Sequence, residues 1–186
     1  MNIPRLRKLV LALALALASP FAAFAQAPVM DIPLSDPSRW EYFSDQVMGG
    51  VSEGRASFAQ EDTSAVLRLS GRVSTENRGG FIQARAKLET RLPQETQGVV
   101  LEVRGNDQTY FVHLRTSRTL LPWQFYQASF EVTQNWREVR IPFTSFAPYG
   151  RLLRKDFDAD AVRSLAIAAF GRDHDADLSV RAAGFY

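Results

Sequence analysis

The 186-residue sequence contains no cysteine. That excludes a disulfide framework, a thiolate metal site, a cysteine nucleophile and lipid attachment at an N-terminal cysteine, so the fold must be held by its core alone. Histidine is nearly as scarce. A Ser-His-Asp triad would have to use His113 or His174, and neither a G-x-S-x-G elbow nor H-E-x-x-H zinc spacing is present. The loop glycines do not spell G-x-G-x-x-G, so no dinucleotide cofactor is indicated. Two acidic runs, Asp156-Phe157-Asp158-Ala159-Asp160 and Asp173-His174-Asp175-Ala176-Asp177, lack the sixth-place Gly and twelfth-place Glu of an EF-hand loop and read as solvated loop charge. No metal site and no cofactor is therefore expected.

The residues that are present begin with an export signal. Arg5, Arg7 and Lys8 precede an apolar run from Leu9 to Ala18, and Ala23-Phe24-Ala25 supplies a small-x-small cleavage site. The run is about half of the ~20 residues a membrane span needs, and Pro20 breaks any continuation of it. Residues 1–25 are thus expected to be a signal peptide cut after Ala25, leaving 26–186 as one periplasmic or secreted domain that does not span the membrane. Removing the three cations leaves 19 Lys+Arg against 20 Asp+Glu. That balance gives a nucleic-acid partner no support.

The mature chain alternates. In residues 98–116, Val99, Leu101 and Val103 share one side of a strand, and Tyr110, Val112 and Leu114 share one side of the next. Gly105, Asn106 and Asp107 fall between them, so the segment reads as a β-hairpin whose polar side gathers Glu102, Arg104, His113 and Arg115. Residues 55–60 and 65–73 read as a further strand pair, 81–88 as a strand with Gln83 and Arg85 on its polar side, and 123–132 and 136–143 as another pair. A helical turn is expected near 159–163, then strands over 164–170 and 178–185. With 46% hydrophobic residues to fill a core and no sustained helical period, the expected fold is all-β: an antiparallel β-sandwich of jelly-roll type.

Two loops stand out. Residues 44–54 (SDQVMGGVSEG) contain the Gly49-Gly50 pair and the side-chain oxygens of Ser44, Asp45, Ser52 and Glu53. Paired glycines imply positive φ or close backbone approach, and the apolar Met48 and Val51 imply that the loop folds back onto the body. Residues 74–80 (STENRGG) repeat the paired glycines at Gly79 and Gly80.

In order, SDQVMGGVSEG, Leu69-Ser70-Gly71, RGGF, VRGNDQTY, FYQASFEV, WREVRIPFTSFAP and SLAIAAFGRD resemble the complex I intermediate-associated protein 30 family over residues 40–186. The resemblance implies a galactose-binding-like β-sandwich, similar to carbohydrate-binding modules, that is not an enzyme. Mitochondrial members assist assembly of respiratory complex I, so an assembly or chaperone-like factor for an envelope or membrane complex is implied. Asp45, Met48, Gly49, Gly50, Ser52, Asn77, Gly79 and Gly80 occupy the motif loops.

The residues themselves leave two readings of the polar wall formed by Gln83, Arg85, Glu102, Arg104, His113, Arg115, Trp123 and Gln124. Aromatic rings stack on sugar faces, and Arg, Gln, Glu and His bind hydroxyls or carboxylates, which fits a glycan or an acidic peptide. Alternatively the wall is a solvated ladder of Arg/Glu pairs with Trp123 in the core. The partner is accordingly an unidentified protein or a glycan.

Overall fold

Period-two alternation gives each strand one apolar side, and the described residues assemble twelve strands around one core. The computed structural model describes residues 29–186; the expected signal peptide and its cleavage site lie outside the described residues. The strands are β1 (Met30–Asp31), β2 (Trp40–Ser44), β3 (Glu53–Glu61), β4 (Ser64–Val73), β5 (Phe81–Lys87) and β6 (Gly98–Gly105). They continue with β7 (Thr109–Thr116), β8 (Phe125–Glu131), β9 (Arg137–Pro142), β10 (Ala147–Tyr149), β11 (Val162–Phe170) and β12 (His174–Phe185). Only short 3₁₀ turns interrupt them, one at Ala159–Ala161 where a helical turn is expected.

Two antiparallel sheets result. The first runs β3-β4-β12-β6-β9, with β1 added on β12, and the second runs β10-β8-β7-β11-β5-β2. Their inner sides meet in a core that includes Leu67, Leu69, Leu101, Val112, Ile167 and Leu178, all fully buried. This is a β-sandwich, with side chains of both inner faces filling the space between the sheets. Pro142 ends β9, an edge strand, where its missing N–H breaks no ladder bond.

Two expected pairings are corrected. Residues 98–116 do not form a hairpin: β6 pairs with β12 and β9, whereas β7 pairs with β11 and β8 in the other sheet. The connection crosses the sandwich, and so does the one from β8 to β9. Alternation tells which residues of a strand share a side, but not which strand lies beside it. In such an arch both apolar sides face the same core from opposite directions, and Val99, Leu101, Val103, Tyr110, Val112 and Leu114 are all buried. The polar sides therefore face away from each other. The β3–β4 pair does form, with Leu69 opposite Ala56. The short strands β1 and β10 are not apparent from alternation, being too short to display a period.

Tyr110 ties the sheets together at one end. Its hydroxyl donates to Asn106 Oδ1 at 2.7 Å and accepts from the backbone N–H of Asp177 at 2.8 Å. Burial pushes its pKa up to about 12, so the donor stays protonated.

Candidate functional site

The outward side of the second sheet reads in rows. Glu41, Arg85, Ala166, His113 and Gln127 lie side by side across five strands. In the next row Ser164 faces Lys87 and Arg115, and Tyr149 of β10 faces Phe125. On the other flank, Phe43, Gln83, Ala168, Phe111 and Ser129 line up. Because β11 contributes only Ser164, Ala166 and Ala168 to these rows, the bulkier neighbours on both sides rise around it. A cleft of about 300 Å³ results.

Aromatic rings build one wall. The His113 ring stacks on Phe125 at 4.1 Å, and Phe125 stacks on Tyr149 at 4.6 Å with only 7° between planes. Phe170 meets His113 edge-on at 5.1 Å and Tyr149 at 5.5 Å. At the edge of this wall Trp123 and Tyr149 are 56% and 48% exposed. Across the cleft, Val47 and Met48 are also exposed, at 73% and 61%. Water therefore covers large apolar surfaces on both sides of the opening.

The polar groups of the floor are unusually under-bonded. His113 is buried, and burial pushes its pKa down to about 3 against the opposing influence of the neighbouring Gln127 side chain. The imidazole is neutral at physiological pH. Although Gln127 is its register neighbour, His113 Nε2 and Gln127 Oε1 are buried without a hydrogen-bond partner. Arg115 donates to the carbonyls of Thr119, Leu121 and Pro122 at 2.8, 3.0 and 3.0 Å, which fixes the loop carrying Trp123. Burial, and then the charge of Arg85, lower its pKa. Arg85 lies over the Phe43 ring at 4.4 Å and donates to Glu41 at 2.9 Å, but its buried Nε has no partner. Arg78 adds a third cation to the lining, which contains no Asp or Glu among the described residues.

The glycine loops form the end of the cleft through one buried carboxylate. Asp45 accepts from the N–H and hydroxyl of Ser52 at 2.9 and 2.5 Å, from the N–H of Gly80, and from that of Phe81 at 3.1 Å. Burial works to raise its pKa, but these bonds outweigh burial and hold it below the ordinary carboxylate value. A Cβ on Gly50 would stand 2.3 Å from Asp45 Cγ, and one on Gly79 2.4 Å from Asp45 Oδ2. These two glycines are close-approach positions, whereas Gly49 and Gly80 have positive φ, at 88° and 120°. Asn77 also adopts positive φ, in the turn that places Arg78.

The structure thus brings Gln83, Arg85, His113, Arg115 and Trp123 to one cleft, with Met48 and Gly79 at its end. Glu102 and Arg104 are corrected: they stand on the outer side of the first sheet, because β6 belongs there. Glu102 pairs with Arg181, and Arg104 with Glu61 at 2.8 Å. Gln124 is also corrected, being buried in the loop, where it accepts from the N–H of Leu121 and donates to the carbonyl of Arg151. Met48 and Val51 do not fold onto the body; Asp45 anchors their loop instead. Burial, and not the neighbouring Arg115, depresses the His113 pKa. Trp123 is exposed and outside the core.

Phe43, Phe81, Phe125, Tyr149 and Phe170 join the site although sequence reasoning does not single them out. Their signal is legible in retrospect. Phe43, Phe81, Phe111, Phe125 and Phe170 all fall on the outward phase of strands whose inward phase is already apolar, and such rings need an outer partner. The second acidic run has separate occupations: Asp173 accepts from the N–H and hydroxyl of Thr75, and Asp177 pairs with Arg68.

The fold places this chain among known β-sandwiches. It is similar to carbohydrate-binding β-sandwich modules: a family 11 module of the cellulosomal cellulase Lic26A-Cel5E of Clostridium thermocellum superposes with a TM-score of 0.64 at 13% identity, covering 78% of this chain and 86% of that one. A family 11 module from the same organism, in complex with a β-1,3-1,4-mixed-linked tetrasaccharide, gives 0.65 at 13% identity, over 79% and 88%. A family 30 module gives 0.51 at 14%, over 74% and 91%. No curated protein sequence matches the chain. The family model for complex I intermediate-associated protein 30 matches residues 29–180, and the chain belongs to that family.

Proposed function

We propose that the protein is a non-enzymatic binding module that holds a carbohydrate in the cleft on the outer side of the second sheet. The observation that carries this reading is a pair of exposed rings, Trp123 and Tyr149, beside a floor where His113 Nε2 and Arg85 Nε are buried without partners. A sugar ring offers both things such a site lacks, an apolar C–H face for the rings and hydroxyls for the unpaired nitrogens. Likeness in fold to glycan-binding modules supports the reading without identifying a ligand. A hydrolase would need two carboxylates across the bound sugar, and the residues lining the cleft include none.

A second reading keeps the family's assembly role. Exposed Val47, Met48 and Trp123 could seat an apolar segment of a partner protein in the same cleft, consistent with an assembly or chaperone-like factor in the cell envelope. Isothermal titration with a panel of oligosaccharides separates the two. Millimolar or tighter binding that falls at least tenfold in Trp123→Ala or Tyr149→Ala, with unchanged thermal unfolding, is expected. Absence of saccharide binding across the panel, together with capture of one stoichiometric envelope protein that Met48→Asp abolishes, would favour the assembly role.

A further inference from the structure

Resting on the carbohydrate reading, we infer that the cleft selects acidic sugars, with the ligand's carboxylate or sulfate seated between Arg85 and Arg115 and the C–H face of its ring against Trp123 and Tyr149. Uncompensated charge is the reason. Arg85 and Arg115 flank β11 in adjacent rows, separated only by Ala166 and Ser164. Nothing bulky fills the space over those two small residues, and both open into the cleft.

Arg115 is held by three carbonyl oxygens and no carboxylate. Carbonyl dipoles orient a guanidinium but leave its unit charge in place, so the group is fixed in position before any ligand arrives. Three such bonds leave two of its five N–H groups for a ligand. Arg85 has one carboxylate partner, Glu41, and keeps its buried Nε donor free. Arg78 lines the same cleft, so three cations face it against one carboxylate at its border. A burial-lowered pKa at Arg115, reinforced by Arg85, reports the same crowding of like charge. An anion lying between the two would relieve that repulsion and could be held by directional, charge-assisted bonds.

The opposite face of the sandwich sharpens the contrast. There, Arg68, Arg104, Arg140 and Arg181 each have a carboxylate within salt-bridge distance. Those four cations are paired within the chain, whereas in the cleft only Arg85 has a carboxylate, Glu41, and Arg115 and Arg78 have none within salt-bridge distance among the described residues.

The test is calorimetric titration of the full chain with oligogalacturonate, a sulfated galactan oligosaccharide and neutral cello-oligosaccharide, at 20 and 300 mM salt. Acidic ligands are expected to bind at least tenfold more tightly than the neutral one at low salt, and to lose that advantage at high salt. Arg85→Gln should weaken acidic ligands at least tenfold more than it weakens the neutral one, and so remove the preference; Arg115→Lys, which keeps charge if the loop shifts, should retain most of it. Arg104→Gln on the other face should change nothing. Carboxylate and sulfate ligands compared side by side identify which anion is seated. Equal affinity for acidic and neutral sugars, unaltered by Arg85→Gln, would overturn the inference but leave the carbohydrate reading standing. No binding of any sugar, with Trp123→Ala and wild type indistinguishable, would overturn both.

Discussion

The two outer faces of this sandwich use the same residue types to opposite ends. On the first sheet, arginine and carboxylate side chains cross-link: Arg68 with Asp177 and Arg104 with Glu61, while the guanidinium groups of Arg104 and Arg181 each lie over the Trp136 ring, at 4.6 and 4.7 Å. On the second sheet, arginines face an aromatic cleft, bonded to carbonyls or to a single carboxylate at its border. Guanidinium groups already paired with carboxylates have less to offer an anionic ligand. Counting charges on a sheet therefore says little about function; what matters is whether each has already found its partner.

The largest expected effect lies in the frame of the cleft. Asp45→Ala would leave the N–H groups of Ser52, Gly80 and Phe81 unpaired near a buried position and should destabilise the domain by about 3–5 kcal/mol in urea unfolding. Because the folded-state pKa of Asp45 is depressed, its contribution is fully present above the unfolded-state carboxylate value and is lost as pH falls through the folded value. Gly79→Ala should cost about 2 kcal/mol or more, since its Cβ would enter the Asp45 carboxylate, whereas Gly49→Ala meets open space and should cost only the ~1 kcal/mol of a left-handed residue. Equal costs at both glycines would break the distinction between close approach and backbone conformation.

Next comes the buried histidine. The unfolded chain protonates near pH 6.5, but folded His113 does so only near 3, so the folded state binds fewer protons between these values. Stability is complete above about pH 6.5 and should fall by about 2 kcal/mol from pH 7 to 5 through this group alone. His113→Gln should flatten that slope; an unchanged slope in chemical unfolding at both pH values would contradict burial as the cause. Smaller still are changes on the cross-linked face. Trp136→Ala should cost about 1–2 kcal/mol through its two cation–π contacts. Glu61→Gln, in an exposed pair, should cost less than about 1 kcal/mol, and neither should alter ligand binding.

Much of this is legible in the sequence, and the limits have a physical cause. Period two fixes the inward residues of β4, β5, β6 and β7, because a sandwich strand buries one side and the pattern records it. The same pattern leads to an all-β sandwich, and the ordered motifs lead to the family. Alternation cannot carry the identity of the neighbouring strand. A turn such as Gly105-Asn106-Asp107 serves a hairpin or an arch equally well, so the pattern groups Glu102 and Arg104 with Arg115 although the sandwich puts its full thickness between them. The paired glycines are legible as special, but not as a cradle for Asp45. That contact joins residues more than thirty positions apart, and no local pattern encodes it.

The central claim is that ligand recognition belongs to one outer face alone. Amide and indole chemical shifts of the ¹⁵N-labelled protein, monitored while oligogalacturonate and cello-oligosaccharide are titrated in, test it most directly. Saturable shifts are predicted at Gln83, Arg85, His113, Arg115 and the Trp123 indole, with Arg104 and the Trp136 indole unmoved. Shifts confined to Arg104 and Trp136, or no saturable shift with either sugar, would contradict it.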